Sequence, residues 1–246
     1  MNVVLLGATR GIGRALARLY AARNDRLVLL GRNEEALAKS AADLGARTGT
    51  EAPAVVPCDL DDPAGFPEAL DRTFEVLDGR VDVFVITAAL FDTQENLEDD
   101  LARTHALLRV DFTNTVLFCE HVRRRMLAQG GGTIAVFSSV AGDAPRKPVA
   151  IYGAAKAGLS HYLSSMDLRY RDKGVRFVCI KPGFVRTGMT AGLPEPPFAA
   201  DPEPVAARAL AAIDKGSPVV YAPSIWRLVM LVIRHLPRFV MYRLGF

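Results

Sequence analysis

Residues 3–13 read VVLLGATRGIG, and the nine that follow read RALARLYAA. Four apolar residues without polar alternation predict a strand covered on both faces, and the stretch after Gly13 predicts an amphipathic helix. Between strand and helix stand Gly7, Gly11 and Gly13. Glycines at such a turn let the chain reverse tightly, let the backbone approach a pyrophosphate, and let the helix pack on the sheet with its N-terminus toward the anion. Thr9, Arg10 and Ile12 complete the candidate loop. The alternative is a glycine turn with no ligand. No Gly-Lys-Ser/Thr follows, which argues against a P-loop nucleotide hydrolase.

Outward from this turn, short apolar runs alternate with longer helical patterns: RLVLL (26–30), AVV (54–56), VDVFVIT (81–87), TIAVFS (133–138), VRFVCI (175–180) and PVVYA (218–222). The alternation predicts an α/β fold, a doubly wound parallel sheet of about seven strands with helices on both faces. One dinucleotide-binding and catalytic domain is expected over 1–246, because no repeat or low-complexity linker divides the chain. Residues 188–204, GMTAGLPEPPFAADPEP, carry five prolines and predict a long loop after the sixth strand, either a lid or a plain surface excursion.

Composition narrows the function. With 30 basic and 27 acidic residues the net charge is +3, too small and dispersed for a nucleic-acid footprint. Cys58, Cys119 and Cys179 are scattered without a Cys-x-x-Cys pair, so neither a disulfide framework nor a metal site is indicated, and a cytoplasmic location is expected. The opening MNVVLLG has no secretory leader pattern. The longest apolar run near the C-terminus, 228–233, is far below the roughly 20 residues a spanning helix needs.

The second strand ends in Leu30-Gly31-Arg32-Asn33, where a carboxylate would receive the ribose of NAD. Arg32 stands there instead. With Arg10 it is suited to a 2′-phosphate through charge-assisted hydrogen bonds, which predicts NADPH over NADH; the alternative is two solvated arginines. Asp59, with Leu60 beside it, follows the third strand as a candidate adenine contact.

Residues 151–159 read IYGAAKAGL. On a helix Tyr152 and Lys156 share one face, and an ammonium beside a phenol favours the phenolate. Ser139 lies in VFSSVAG at the end of the fifth strand, with Ser138 as its rival, and KPGFVRT spans 181–187. Together with the glycine loop, these motifs resemble the short-chain dehydrogenase/reductase family, with its Rossmann fold, over almost the full length. The resemblance implies that Tyr152 protonates a substrate carbonyl oxygen as hydride arrives from nicotinamide. It further implies that Lys156 lowers the phenol pKa and holds the ribose, and that Ser139 hydrogen-bonds the same oxygen. Pro182, Gly183, Val185 and Thr187 would then line the nicotinamide and pyrophosphate. A non-catalytic NADP-binding regulator is an alternative that the intact Ser139, Tyr152 and Lys156 disfavour. Family analogy implies a homo-oligomer through helices near 101–128 and 151–172.

Two departures from the family pattern stand out. Asp111, in RVDFTNTV, replaces a usual asparagine, with Asn114 as the competing candidate. A carboxylate there accepts from Lys156 or a relay water and cannot donate. Ile86-Thr87-Ala88-Ala89 replaces Asn-Asn-Ala-Gly; Ala88 and Ala89 still permit close approach to the cofactor ribose, but side-chain hydrogen bonds are expected to be lost.

The C-terminal segment 225–246 is basic and apolar, with Arg227, Arg234 and Arg238 among Trp226, Leu228, Val229, Leu231, Val232 and Ile233. It suits a membrane interface, with peripheral contact at the inner membrane face, or equally a helix covering the pocket or a subunit interface. The tail is similar to that of reductases acting on decaprenylphosphoryl-2-keto-erythropentose, a cell-wall polysaccharide precursor. That similarity implies a polyprenyl-phosphate-linked 2-keto pentose as substrate, with another fatty, steroid-like or small ketone as the alternative.

Overall fold

A computed structural model describes residues 1–243; the last three positions of segment 225–246 lie outside the described residues. The first half runs β1 (Asn2–Leu6), α1 (Gly11–Ala22), β2 (Arg26–Gly31), α2 (Glu34–Thr48), β3 (Ala54–Pro57), α3 (Phe66–Val76), β4 (Val83–Ile86), α4 (Gln94–Asp99) and α5 (Leu101–Leu108). A π-helical segment, Arg109–Asn114, leads into α6 (Thr115–Ala128). Then follow β5 (Gly132–Phe137), α7 (Ala150–Tyr170), β6 (Val175–Pro182), α8 (Pro202–Lys215), β7 (Val219–Ala222), α9 (Ile225–His235) and α10 (Arg238–Arg243).

The seven strands pair in parallel in the order β3-β2-β1-β4-β5-β6-β7. Alternation along each strand builds the two cores. Val3 and Leu5 face Leu16 and Tyr20 of α1, Leu37 of α2 and Ala209 of α8, whereas Val4 and Leu6 face Phe66 of α3, Phe118 of α6 and Leu159 of α7. Both faces are covered, which is why the strands read as continuous apolar runs. Cys58, Cys119 and Cys179 are all buried. Strand order reverses between β1 and β4, so a crevice opens at the carboxyl ends of these two strands.

The proline-rich stretch is shorter as a loop than its composition suggests. Pro202 and Pro204 open α8 rather than prolonging the loop, because a proline in the first helical turn forfeits only an N–H that has no intrahelical partner. The tail also divides: Leu236, extended ahead of Pro237, ends α9, and Arg238 begins a separate helix.

Candidate active site

The turn out of β1 is built for a close backbone approach. Gly7 has φ of 100°, and a side chain there would meet the Ala88 backbone nitrogen and Thr87 Oγ1 at 2.6 Å. At Gly13 a Cβ would lie 2.2 Å from the Gly7 carbonyl oxygen, so α1 seats against the turn only without a side chain. The N-terminus of α1 has no side-chain cap and no acidic residue in its first turn, and Thr187 lies against Gly11. An unpaired row of N–H groups at a positive helix end, beside a hydroxyl, fits a pyrophosphate. Thr9 is half-buried in this loop. Ile12 and Val185 meet in one small apolar cluster with Val205 and Ala222.

Arg10 and Arg32 stand exposed at the rim of the crevice. Asn33, next to Arg32, is occupied: its Oδ1 accepts from the Ala36 N–H at 2.8 Å and caps α2. Asp59 Oδ1 accepts from the Asp61 N–H at 2.9 Å, shaping the loop after β3, and Leu60 is buried. Ala88 and Ala89 follow β4, with the Ala88 N–H donating to the Leu6 carbonyl at 3.1 Å. The expected loss of side-chain hydrogen bonds here needs correction. Thr87 Oγ1 donates to the Gly7 and Leu6 carbonyl oxygens, at 3.0 and 3.2 Å, and ties β4 to the glycine turn.

On the other side of β4, α7 brings Tyr152 and Lys156 to the crevice. Its small residues permit this: Gly142 of the Ser139 loop sits where a Cβ would be 2.6 Å from the Ala157 nitrogen. Ser139 is extended, its Oγ accepts from the Ala141 N–H at 3.1 Å, and its hydroxyl is placed to pull the pKa of the Tyr152 phenol down. Ser138 is spent elsewhere, its Oγ donating to the Lys156 carbonyl at 3.0 Å and lying 2.7 Å from Ser160 Oγ. Phe91 packs edge-on against Tyr152 at 5.1 Å between ring centroids.

The π segment supplies the fourth group. Asp111 Oδ2 lies 3.0 Å from Lys156 Nζ, both side chains almost wholly buried, and Asp111 Oδ1 accepts from the Leu90 N–H at 2.6 Å. The two candidates, three residues apart, therefore separate by role. Asn114 Nδ2 donates to the Leu60 carbonyl at 2.7 Å, away from Lys156. Arg109 clamps Asp61 with two bonds of 2.6 and 2.7 Å. One widened helical turn thus braces the loop after β3 while aiming a carboxylate at Lys156.

This carboxylate alters the expected electrostatics. Burial pushes the Tyr152 phenol up, Lys156 pulls it down, Asp111 pushes it up and Ser139 pulls it down; the phenol ends above its ordinary value rather than below it. Burial alone would depress Lys156, yet Asp111 and Tyr152 hold its ammonium above the usual lysine value. Burial likewise raises the Asp111 carboxyl, against the pull of Lys156 and of the Leu90 N–H. The lysine's charge is shared, so the phenol is kept as a proton donor.

Past β6, Pro182 is buried and Gly183 lies under the Trp226 indole, where a Cβ would fall 1.9 Å from Nε1. Trp226, Met230 and Ile233 of α9 pack on Val140 and Ala144 of the Ser139 loop. A buried polar cluster missed in the sequence lies alongside: Lys181 Nζ pairs with Asp143 Oδ1 at 2.5 Å, and Tyr221 Oη donates to Asp143 Oδ2 at 2.7 Å. These three residues come from separate segments without spacing or motif to join them. The Trp226 contact was legible only as apolar content in the tail.

Comparison with known proteins agrees with this fold. The family model described as short chain dehydrogenase matches residues 1–197. An uncharacterized oxidoreductase of Mycobacterium tuberculosis is 35% identical over 242 residues, covering 98% of this chain and 96% of the relative. A cis-4-hydroxycyclohexanecarboxylate dehydrogenase of Sinomonas cyclohexanicum is 32% identical, covering 78% of this chain and 76% of that protein. In fold, the chain resembles a short-chain dehydrogenase from Sphingobium yanoikuyae in complex with NADPH, with a TM-score of 0.82 at 24% identity, over 96% and 97% of the two chains.

Proposed function

The chain belongs to the short-chain dehydrogenases/reductases, and on that premise we propose that it is an NADPH-dependent carbonyl reductase. The observation that carries this reading is the Ser139–Tyr152–Lys156–Asp111 cluster, half-buried at Ser139 and Tyr152 and buried at Lys156 and Asp111, at the crevice where strand order reverses. Gly7, Thr9, Gly11, Ile12 and Gly13, with Thr187, would hold the pyrophosphate; Asp59 and Leu60 the adenine; Ala88 and Ala89 the ribose; Pro182, Gly183 and Val185 the nicotinamide. Arg10 and Arg32 would take the 2′-phosphate, the source of NADPH preference. When bound, the nicotinamide supplies a hydride.

The chain's own groups do the rest. Tyr152 donates its proton to the carbonyl oxygen as negative charge develops there. Ser139 gives a second hydrogen bond to that oxygen. Lys156 stabilises the phenolate left behind and contacts the ribose, while Asp111 fixes its ammonium and keeps the resting phenol protonated. A phenol with a raised pKa suits a donor in the reductive direction.

The narrower substrate is a polyprenyl-phosphate-linked 2-keto pentose, reached by peripheral contact at the cytoplasmic membrane face. The basic, apolar tail beside the site supports this. A second reading, a small cyclic ketone, is favoured by the 32% identity to the cis-4-hydroxycyclohexanecarboxylate dehydrogenase. Exposed Leu101, Leu108, Phe112, Leu117 and Leu168, on and around α5, α6 and α7, support a homo-oligomer. NADPH oxidation measured over lipid-linked and cyclic ketones, with Tyr152→Phe as control, tests the proposal. No turnover on any ketone, or turnover surviving in Tyr152→Phe, refutes it. Deleting 225–246 is a poor substitute test, since it uncovers Val140 and Ala144 beside Ser139.

A further inference from the structure

Helix α9 has two apolar faces. Trp226, Met230 and Ile233 form the inner face and are buried against the domain. Leu228, Leu231 and Val232 lie on the opposite side, 58%, 49% and 55% exposed. Folding explains the first face and leaves the second unpartnered. Phe239 and Tyr242 of α10 extend the apolar surface, and α10 is held to the domain by Lys147 Nζ, which donates to the Tyr242 carbonyl at 3.1 Å. Phe198 of the 188–201 loop, also exposed, stands edge-on to Trp226 at 6.5 Å, beside the inner face.

Charge identifies what this surface meets. From residue 216 onward the chain has four arginines, Arg227, Arg234, Arg238 and Arg243, and no acidic residue, so this segment carries +4 against a net charge of +3 for the whole chain. All four are exposed. On α9, Arg227 and Arg234 are seven residues apart and share one border between the two faces, where long side chains reach headgroup phosphates while their neighbours enter the acyl boundary. None of the helices among the described residues is long and apolar enough to cross a membrane, and α9 at 11 residues is only about 16 Å long.

We propose that the outer face of α9, with Phe239 and Tyr242 at its edges, docks on an anionic lipid bilayer and sets the pocket mouth against it. This deepens the lipid-linked substrate reading above, but its test needs no turnover. The full-length chain is mixed with vesicles of phosphatidylglycerol and phosphatidylcholine and with pure phosphatidylcholine vesicles. Expected are sedimentation with the anionic vesicles and release at about 1 M salt, where the Debye length is about 3 Å. The double variant Leu231→Glu, Val232→Glu should lose at least about tenfold in vesicle partitioning with an unchanged melting temperature. Absent binding, equal binding to neutral vesicles, or full binding by the double variant overturns the proposal. Self-association abolished by the double variant, with no vesicle binding, assigns the face to a second copy and equally overturns it. Failure to reduce any ketone leaves all these outcomes readable and counts only against the reductase reading.

Discussion

The π segment and helix α9 treat their side chains in opposite ways. In Arg109–Asn114 polar groups are used up internally: Arg109 on Asp61, Asp111 on Lys156 and Leu90, Asn114 on Leu60. In α9 one face is committed to the core, whereas Leu228, Leu231, Val232 and the arginines remain turned outward. Where chemistry is expected, every group is fixed by a partner and positioned before substrate arrives. Where docking is expected, surface is left unsatisfied, since an interface needs something to gain on contact.

Four experiments sharpen or break this contrast. Tyr152→Phe should lower ketone reduction by at least about 1,000-fold with little change in NADPH affinity, read by steady-state turnover and cofactor titration. A loss below tenfold would show that the paired region is not where proton transfer occurs. Next, Trp226→Ala should cost about 3–5 kcal/mol of stability, whereas Leu228→Ala on the opposite face should stay within about 0.5 kcal/mol, both by urea denaturation. Equal costs would erase the distinction between the faces of α9.

Arg32→Ala should reduce the NADPH-over-NADH preference by about 10- to 100-fold, the worth of a charge-assisted bond, in kcat/KM ratios. An unchanged ratio would mean that the arginine is merely solvated. Smallest is a shift of pH profile in Asp111→Asn. Reduction requires the protonated phenol, so its rate is present below the Tyr152 pKa and falls as pH rises through it. Asp111 pushes that pKa up. Removing its charge should move the alkaline fall in kcat to lower pH, and a limb that stays put or moves higher would deny the carboxylate its positioning role.

Much of this was legible in the chain. The seven apolar runs predict the strands within two residues or so at each end, because strands covered on both faces leave an unbroken apolar signature. The glycine turn was legible because Gly7 and Gly13 admit no side chain at their contacts. Asp111 was visible as a substitution, but its preference over Asn114 was not: an extra residue in the helical turn sets which of the two points at Lys156, and composition does not report it. Lys156 pulls the Tyr152 pKa down as its spacing suggests, but burial, the largest influence, raises it and Asp111 adds to the rise; burial leaves no local trace in the chain. The Asp143–Lys181–Tyr221 cluster joins residues up to 78 positions apart and left no local trace.

A π turn is an α-helix with one residue to spare. Loss of a single codon within 109–114 would therefore restore a regular helix, leave both cores and the strand order standing, and swing the carboxylate off its ammonium. Here a deletion in the reading frame would separate a chain that folds from one that works.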